Sequence, residues 1–443
     1  MNATEQIRII EKGCQELVGR ESLMERIAQG ATLRVKFGMD PTAPDLHLGH
    51  AVVLRKLRQM QDLGHTSVIV IGDATAQIGD PSGRSKTRRP MSHEEVLENA
   101  ATYREQVFRI LDPARTEIRF NTEWLFPLAL SDILRLMGTG TVAQMLERED
   151  FAVRFSASSP IGLHEFLYPL MQAYDSVALA ADIELGGTDQ RFNILLGRSL
   201  QRHYGQAAQA ALFMPLLEGV DGQEKMSKSL GNQVGISEPS AVMFEKLMNI
   251  PDALILRYFL LCTDEHPDRV AQWEDRLVKG ANPRDVKHEL ARIVTTLYHG
   301  PEAASQAAER FDRVFHEGLE PEDMPLVRLA DVRAQAADAG VQAADAGNEA
   351  ANVGVQAADA GVQAADAGVQ AVNAGNEAVV VMHDPLAVLV LAGLAASRGE
   401  ARRLIRQGGV RLRGEMLASE LPLPLRDGDV IRCGKKGFVR LKA

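Results

Sequence analysis

Cysteine is scarce in this chain. Cys14, Cys262 and Cys433 are the only three in 443 residues and lie too far apart for a Cys-x-x-Cys pair. No disulfide framework is encoded, and a reducing compartment is expected. Long apolar runs are also missing. The longest, Leu386 to Ala396, falls short of the roughly 20 residues that a membrane-spanning helix needs. The opening residues MNATEQIRIIEKG mix both signs of charge and lack the continuous apolar core of a signal peptide. The expectation is a soluble, cytoplasmic protein without a membrane partner. No metal-ligand cluster, catalytic cysteine or Ser-His-Asp order stands out, so no metal site is assigned.

The length suits two to four domains, and an apolar share of 45% supports a substantial core. Net charge is −10, from 49 Lys+Arg against 59 Asp+Glu, but it is unevenly spread. From Asp384 onward there are 12 Lys+Arg and 6 Asp+Glu, so a +6 tail follows a −16 body. A basic appendage on an acidic body is the charge pattern of a polyanion-binding module.

The first 235 residues alternate between two periods. LRVKFG (33–38) and SVIVIG (67–72) read as strands, the second apolar throughout, and Ala51 to Leu63 between them has helical spacing. In MSHEEVLENAATYREQVFRIL, Ser92 and Glu95 form a capping box ahead of a long amphipathic helix. LHEFLYPLMQAYDSVAL (helix), DIELGG (strand), DQRFNILLGRSLQRHYG (helix) and ALFMPLL (strand) follow. This alternation predicts an α/β fold with a doubly wound, mostly parallel sheet over residues 1–235.

Beyond Gly235 strand signals stop, and helical segments opened by Pro, Ser or Asn predict an α-helical domain, 236–322. Then glycine recurs every seven residues, at 340, 347, 354, 361, 368 and 375, among alanines. Alanine buries little, and each interior glycine costs about 1 kcal/mol relative to alanine. The stretch 323–383 therefore reads as a disordered or weakly helical linker. In the remainder, 384–443, a helix over SRGEARRLIRQGG and short strands predict a small α+β domain. Arg398, Arg402 and Arg406, spaced i, i+4, i+8, form a stripe suited to RNA phosphates rather than internal pairing, since Glu400 is the only carboxylate close in sequence.

Two stretches carry chemistry. In DPTAPDLHLGHAVVL (40–54), His47, Gly49 and His50 stand where a strand gives way to a helix. A helix N-terminus presents free N–H groups and positive dipole, so such a turn can cradle phosphate, with glycine letting a ligand approach the backbone. On its own this pattern equally fits ordinary surface or metal-binding histidines. In DGQEKMSKSLGN, Lys225 and Lys228 lie three apart on a small-residue loop after a strand, suited to clamping a polyphosphate.

HLGH and KMSKS, in that order and separated by this α/β pattern, resemble the class I aminoacyl-tRNA synthetases. YPLMQAYD, IGDPSGR and ELGGTDQRFN narrow the resemblance to the tyrosyl-tRNA synthetases. Tyr168, Gln172 and Asp175, at i, i+4, i+7, share one helical face. The resemblance implies a Rossmann-like class I synthetase core in which Asp80, Tyr168 and Gln172 surround the ammonium group of L-tyrosine. Asp175 accepts from its phenolic hydroxyl and Gln190 sits by its carboxylate. It further implies an ATP site of Asp40, Thr42, His47, Gly49, His50, Gly187 and Asp189, with Lys225 and Lys228 at the pyrophosphate. Arg84 and Arg88 would lie on a loop closing over ATP. Where many members carry a tyrosine that also contacts the phenol, this chain has Lys36, able to pair with a carboxylate or point outward.

The implied activity is tyrosine–tRNA ligation: ATP, as a substrate with Mg2+, activates tyrosine, and the tRNA for tyrosine then receives it. The family likeness also implies a homodimer, a tRNA-binding (anticodon-side) role for 236–322, and a ribosomal-protein-like RNA-binding domain at 384–443. A tryptophan ligase or HxGH nucleotidylyltransferase of the same fold, and a non-catalytic RNA-binding relative, are the alternatives.

Overall fold

The computed structural model describes residues 1–39, 46–78, 104–316, 324–331, 382–434 and 437–442. The main sheet has six strands: β1 (Glu16–Val18), β2 (Arg34–Met39), β3 (Thr66–Ile71), β4 (Thr116–Phe120), β5 (Ile183–Gly187) and β6 (Ala210–Met214). They lie in the order β1-β6-β5-β2-β3-β4, with every neighbour parallel except β1 on β6. β3 and β6 are buried at nearly every position, as parallel strands covered on both faces must be. The doubly wound reading therefore holds, while the edge strands β1 and β4, short and only half-buried, carry too weak a pattern to be legible. Strand order reverses between β2 and β5, and the crevice at the carboxyl ends of strands beside such a switch point is where ligands bind in open α/β sheets.

Five helices of this region matter below: α1 (Ala3–Glu11), α2 (Leu48–Asp62), α3 (Leu130–Met137), α4 (Leu167–Leu179) and α5 (Arg191–His203). Of the predicted helix over 91–111, residues 104–111 are described, and 104–107 are helical. After 235 come α6 (Ser240–Met248), α7 (Ile255–Cys262), α8 (Pro267–Val278) and α9 (Pro283–Phe311). α9 breaks at Gly300, whose φ of +83° only glycine adopts readily, and Pro301 restarts it.

The chain divides into two compact units, Met1–Ala308 and Glu309–Ala443. The helices after 235 are tied to the sheet region by long-range polar contacts. Lys12 donates to the Thr263 and Glu265 carbonyls at 2.6 and 2.7 Å, Tyr258 donates to the Glu218 carbonyl at 2.7 Å, and Arg55 pairs with Asp264.

The second unit builds a sheet of β7 (Leu326–Arg328), β9 (Val410–Leu412), β10 (Glu415–Met416), β12 (Val430–Cys433) and β13 (Gly437–Lys442), in the order β10-β9-β12-β13-β7. A two-stranded pair joins β8 (Met382–His383) to β11 (Leu423–Pro424). Helices α10 (Pro385–Leu391) and α11 (Arg398–Arg406) supply Val388, Leu389, Ala401 and Ile405 to its core. One boundary needs correction: β7 lies inside the stretch 323–383 assigned to the linker. Its Val327 and the following Leu329 alternate with exposed residues, and the strand runs parallel to β13 as the sheet edge. The glycine heptads themselves lie outside the described residues.

Candidate active site

A cavity of about 200 Å³ opens at the carboxyl ends of β2, β3 and β5, on the switch point. Tyr168, Gln172, Asp175, Gly187 and Gln190 all line it, together with Phe37, Met39, Asn121 and Glu184. The i, i+4, i+7 spacing on α4 therefore does what periodicity predicts: one face of an otherwise apolar helix presents its polar groups to a hollow. Asp175 is 3% exposed, and Trp124 Nε1 donates to its Oδ1 at 2.8 Å. Burial pushes its carboxyl up to about 7, opposed by the charge of Lys36 and the Trp124 hydrogen bond.

Two asparagines hold the cavity wall. Asn193, 2% exposed, donates through Nδ2 to Gln172 Oε1 (2.9 Å) and Gln190 Oε1 (3.0 Å). Its own Oδ1 accepts from Arg148 at 3.1 Å. With both glutamine oxygens accepting, the donor capacity of this wall lies in the amide NH2 groups, of which that of Gln190 also donates to Asp189 Oδ2 at 3.5 Å. Asn121 accepts from Ala74 N at 2.9 Å and donates to Thr75 Oγ1 at 3.2 Å, fixing the turn after β3 beside Asp175.

Lys36 does not line the cavity. It is fully buried in β2, and its ammonium donates to Glu184 Oε1 (2.8 Å), Ser176 Oγ (2.9 Å) and the Gln172 carbonyl (3.0 Å). Of the two readings open for it, pairing with a carboxylate is the one the structure has, and a direct contact with tyrosine is not: the partner is its cross-strand neighbour Glu184.

His47 is the N-cap of α2 and His50 its third residue. The two rings pack 3.9 Å apart, tilted by 32°. Burial, and then the adjacent His50 ring, push His47 down to about 3, and desolvation shifts His50 the same way. Both shifts favour the neutral imidazole, a hydrogen-bonding group rather than a cation. His47 N donates weakly to His50 Nδ1 at 3.4 Å, which leaves the His50 proton on Nε2. His47 Nδ1 is buried and has no partner among the described residues. Gly49 differs from expectation: a side chain there would meet the His47 ring at 3.0 Å and Met226 Cβ at 3.4 Å. Its open face is filled by the motif's own histidine and the KMSKS methionine, so it serves packing and does not stand open to a ligand.

KMSKS is stitched to HLGH. Leu48 N donates to the Val234 carbonyl (2.9 Å) and Ile236 N to the Leu46 carbonyl (3.1 Å), joining the chain leaving KMSKS to the entry of α2. Asn232, 3% exposed, organises the loop: Oδ1 accepts from Ser227 N at 2.8 Å, and Nδ2 donates to Asp221 Oδ2 at 2.8 Å and the Lys225 carbonyl at 3.2 Å. Met226 is buried as the anchor, while Lys225 and Lys228 are exposed.

The remaining assignments divide. Asp189 lies beside Gly187, where an added Cβ would stand 2.3 Å from its Oδ1. Asp40, Thr42, Asp80, Arg84 and Arg88 lie outside the described residues. In the second unit the arginine stripe is corrected: Arg402 and Arg406 share Glu420 at 2.8 and 2.5 Å, and Arg398 pairs with Asp384. Folding brings up carboxylates distant in sequence. These pairs are half exposed or more on the arginine side, however, and exposed pairs of this kind contribute only about 0 to 1 kcal/mol.

Residue patterns had not singled out Asn121, Trp124, Asn193 or Asn232. Asn193 and Asn232 end the stretches ELGGTDQRFN and DGQEKMSKSLGN, so their place in those motifs was the available signal. Nothing local marks Asn121 or Trp124.

A family model described as tRNA synthetases class I (W and Y) matches residues 28–316, and one for the S4 domain matches 385–417. The chain is 46% identical over 445 residues to tyrosine–tRNA ligase 2 of Clostridium acetobutylicum, covering 99% of each. It is 45% identical over 443 residues to the tyrosine–tRNA ligase of Thermotoga maritima, covering 100% of this chain and 98% of that one. Among solved structures, the mitochondrial tyrosyl-tRNA synthetase of Coccidioides posadasii has a similar fold, with TM-score 0.57 and 24% identity over 69% of this chain and 90% of that one. The tyrosyl-tRNA synthetase of Archaeoglobus fulgidus complexed with L-tyrosine matches with TM-score 0.55 and 23% identity, over 69% of this chain and 100% of that one.

Proposed function

The chain belongs to the tyrosyl-tRNA synthetases of class I, its reaction is tyrosine–tRNA ligation, and we propose that the two clusters described above divide that reaction between them. Its substrates are tyrosine, ATP and tRNA, and the S4 domain is an RNA-binding module. The observation that carries the division is the cavity at the switch point: a buried carboxylate at its floor, amide donors on its wall, and the HLGH–KMSKS pair joined backbone to backbone.

Tyrosine enters with its phenolic hydroxyl toward Asp175 and its ammonium group among Asp80, Tyr168 and Gln172. Gln190 faces the carboxylate. ATP, entering as its Mg2+ complex, lies along Asp40, Thr42, His47, His50, Gly187 and Asp189. The ionised tyrosine carboxylate attacks the α-phosphate; a new O–P bond forms and the bond to pyrophosphate breaks. Lys225 and Lys228, with Arg84 and Arg88, offset the charge that accumulates on the departing pyrophosphate. The neutral histidines donate hydrogen bonds without adding a cation that would hold pyrophosphate back. A ribose hydroxyl of the tRNA terminus then takes the acyl group and AMP leaves.

The tRNA contacts fall to the helices after 235 and to the arginine stripe of α11, whose exposed guanidinium groups can exchange their carboxylate partners for phosphate. The glycine heptads serve as connector between them, and the cytoplasm is the site of action. No helix among the described residues is long and apolar enough to cross a membrane. A homodimer is supported by Phe126, Leu130, Leu134, Met137, Val142, Val153, Phe155 and Leu163, large apolar side chains left exposed within one short stretch.

Amino-acid-dependent ATP–pyrophosphate exchange tests the reading. Exchange is expected with tyrosine and not with tryptophan, and Lys228→Ala should slow it at least tenfold with the tyrosine KM within about twofold. Exchange supported by tryptophan, or by neither amino acid, would overturn the assignment.

A further inference from the structure

A fully buried ion pair borders the amino-acid cavity, which Glu184 lines and Lys36 does not. Lys36 and Glu184 are cross-strand neighbours on β2 and β5, 0% and 2% exposed, joined at 2.8 Å. Ser176 closes a ring: its hydroxyl accepts from Lys36 and donates to Glu184 Oε2, both at 2.9 Å. Gln209 Nε2 also donates to Glu184 Oε2. Helix α5 rides so close over this ring that a Cβ at Gly197 would stand 3.0 Å from Gln209, 3.2 Å from Ser176 and 3.3 Å from Glu184. A buried ion pair is a poor stabiliser compared with well-packed apolar side chains of the same volume. Its presence beside a ligand cavity calls for a role in placing something.

What it places is the turn of α4 that faces the ligand. An ammonium has three protons to donate, and those of Lys36 go to Glu184, Ser176 and the Gln172 carbonyl. Two of these three acceptors belong to α4, on either side of Asp175, so the lysine pins the helix at Gln172 and Ser176 together. It also supplies the positive charge acting on Asp175. The groups that face this carboxylate are Lys36 from β2, Glu184 from β5, Trp124 from the turn after β4, and Asn121. Of the two charges, the lysine has the larger effect and favours the ionised carboxylate; the glutamate opposes it.

We infer that Lys36 is a specificity-determining positioning residue, which from beside the cavity fixes the Gln172–Ser176 turn and keeps Asp175 an anionic acceptor that selects a phenolic hydroxyl. The inference rests on the proposed role of Asp175. Lys36 touches no substrate itself; it acts through Asp175 and Gln172.

The working variant is Lys36→Met with Glu184→Gln, because removing the lysine alone would strand a buried carboxylate. Pyrophosphate exchange is followed from pH 6 to 9 with tyrosine and with phenylalanine. In the parent, the tyrosine KM should rise as the pH falls below about 7, where Asp175 takes up its proton. In the double variant this acidic limb should move to higher pH, since the loss of the lysine outweighs the loss of the glutamate. The tyrosine KM at neutral pH should rise at least tenfold, preference over phenylalanine should fall by a similar factor, and the ATP KM should stay within twofold. A tyrosine KM, preference and limb matching the parent would overturn the inference. Should the double variant not fold, Ser176→Ala decides. It frees one of the three ammonium contacts and is expected to raise the tyrosine KM several-fold at constant ATP KM; an unchanged tyrosine KM would overturn the inference. Asp175→Asn in the parent separates the two levels. If it leaves tyrosine preference intact, the reading of Asp175 has failed, whatever Lys36 does.

Discussion

Asn232 shows how much of the site rests on single uncharged side chains. Its amide ties Ser227, Asp221 and the Lys225 backbone into one loop, and Gly219 must lack a side chain for it to fit: a Cβ there would lie 2.3 Å from Asn232 Nδ2. Removing a buried amide that satisfies several partners costs about 1–3 kcal/mol. Asn232→Ala should therefore lower the rate of adenylate formation roughly ten- to hundredfold by that same measure, with the tyrosine KM little changed, because the loop holds Lys225 and Lys228 and not the amino acid. Pre-steady-state formation of the adenylate measures it, and a parent-like rate would remove Asn232 from the scaffold. At this scale, the groups that face the cavity were legible in the residues, and those that hold them were not. Tyr168, Gln172 and Asp175 betray themselves by polarity on an apolar face, whereas Trp124 meets Asp175 across 51 residues of chain.

At the scale of elements, α2 docks on α1 through a lysine. Lys56, 2% exposed, donates to the Ile9 carbonyl at the carboxyl end of α1 (2.9 Å) and to Gln59 (2.8 Å). Burial, and then the nearby Lys12, push its pKa down to about 7. The unfolded chain, with a lysine pKa near 10.4, binds this proton more readily. The contribution of Lys56 to stability therefore rises with pH from about 7 to about 10.4, and the full penalty of charging it is felt below 7. Lys56→Met should accordingly be more stable relative to the parent at pH 7 than at pH 10. Thermal unfolding midpoints at the two values measure this difference, and equal offsets at both would refute it. The periodicities that announce β2, β3, α2, α4, α5 and β6 are strong because those elements bury one face or both. β1, β4 and β7 escaped notice because a short edge strand buries too little to stamp a pattern on its residues.

The whole molecule is set by which surfaces remain uncovered. On α3, Leu130, Leu134 and Met137 repeat at i, i+4, i+7 and are 71%, 60% and 47% exposed, an apolar stripe turned outward. Leu134→Arg should convert the proposed dimer to monomer without unfolding it, read by sedimentation or light scattering; a parent already monomeric at working concentration would sink the proposal. The amino-acid sequence by itself determined the alternation of strand and helix, the three residues of α4 that face the cavity, and the HLGH and KMSKS motifs. Each of these is a local period or a local spacing, and local geometry follows from local residues. Only the tertiary structure decided that Lys36 pairs with Glu184, that Gly49 is filled by His47 and Met226, and that Glu420 meets the arginines of α11. Those outcomes depend on which distant segments are brought within hydrogen-bonding reach, and that is fixed by how strands pair and helices pack.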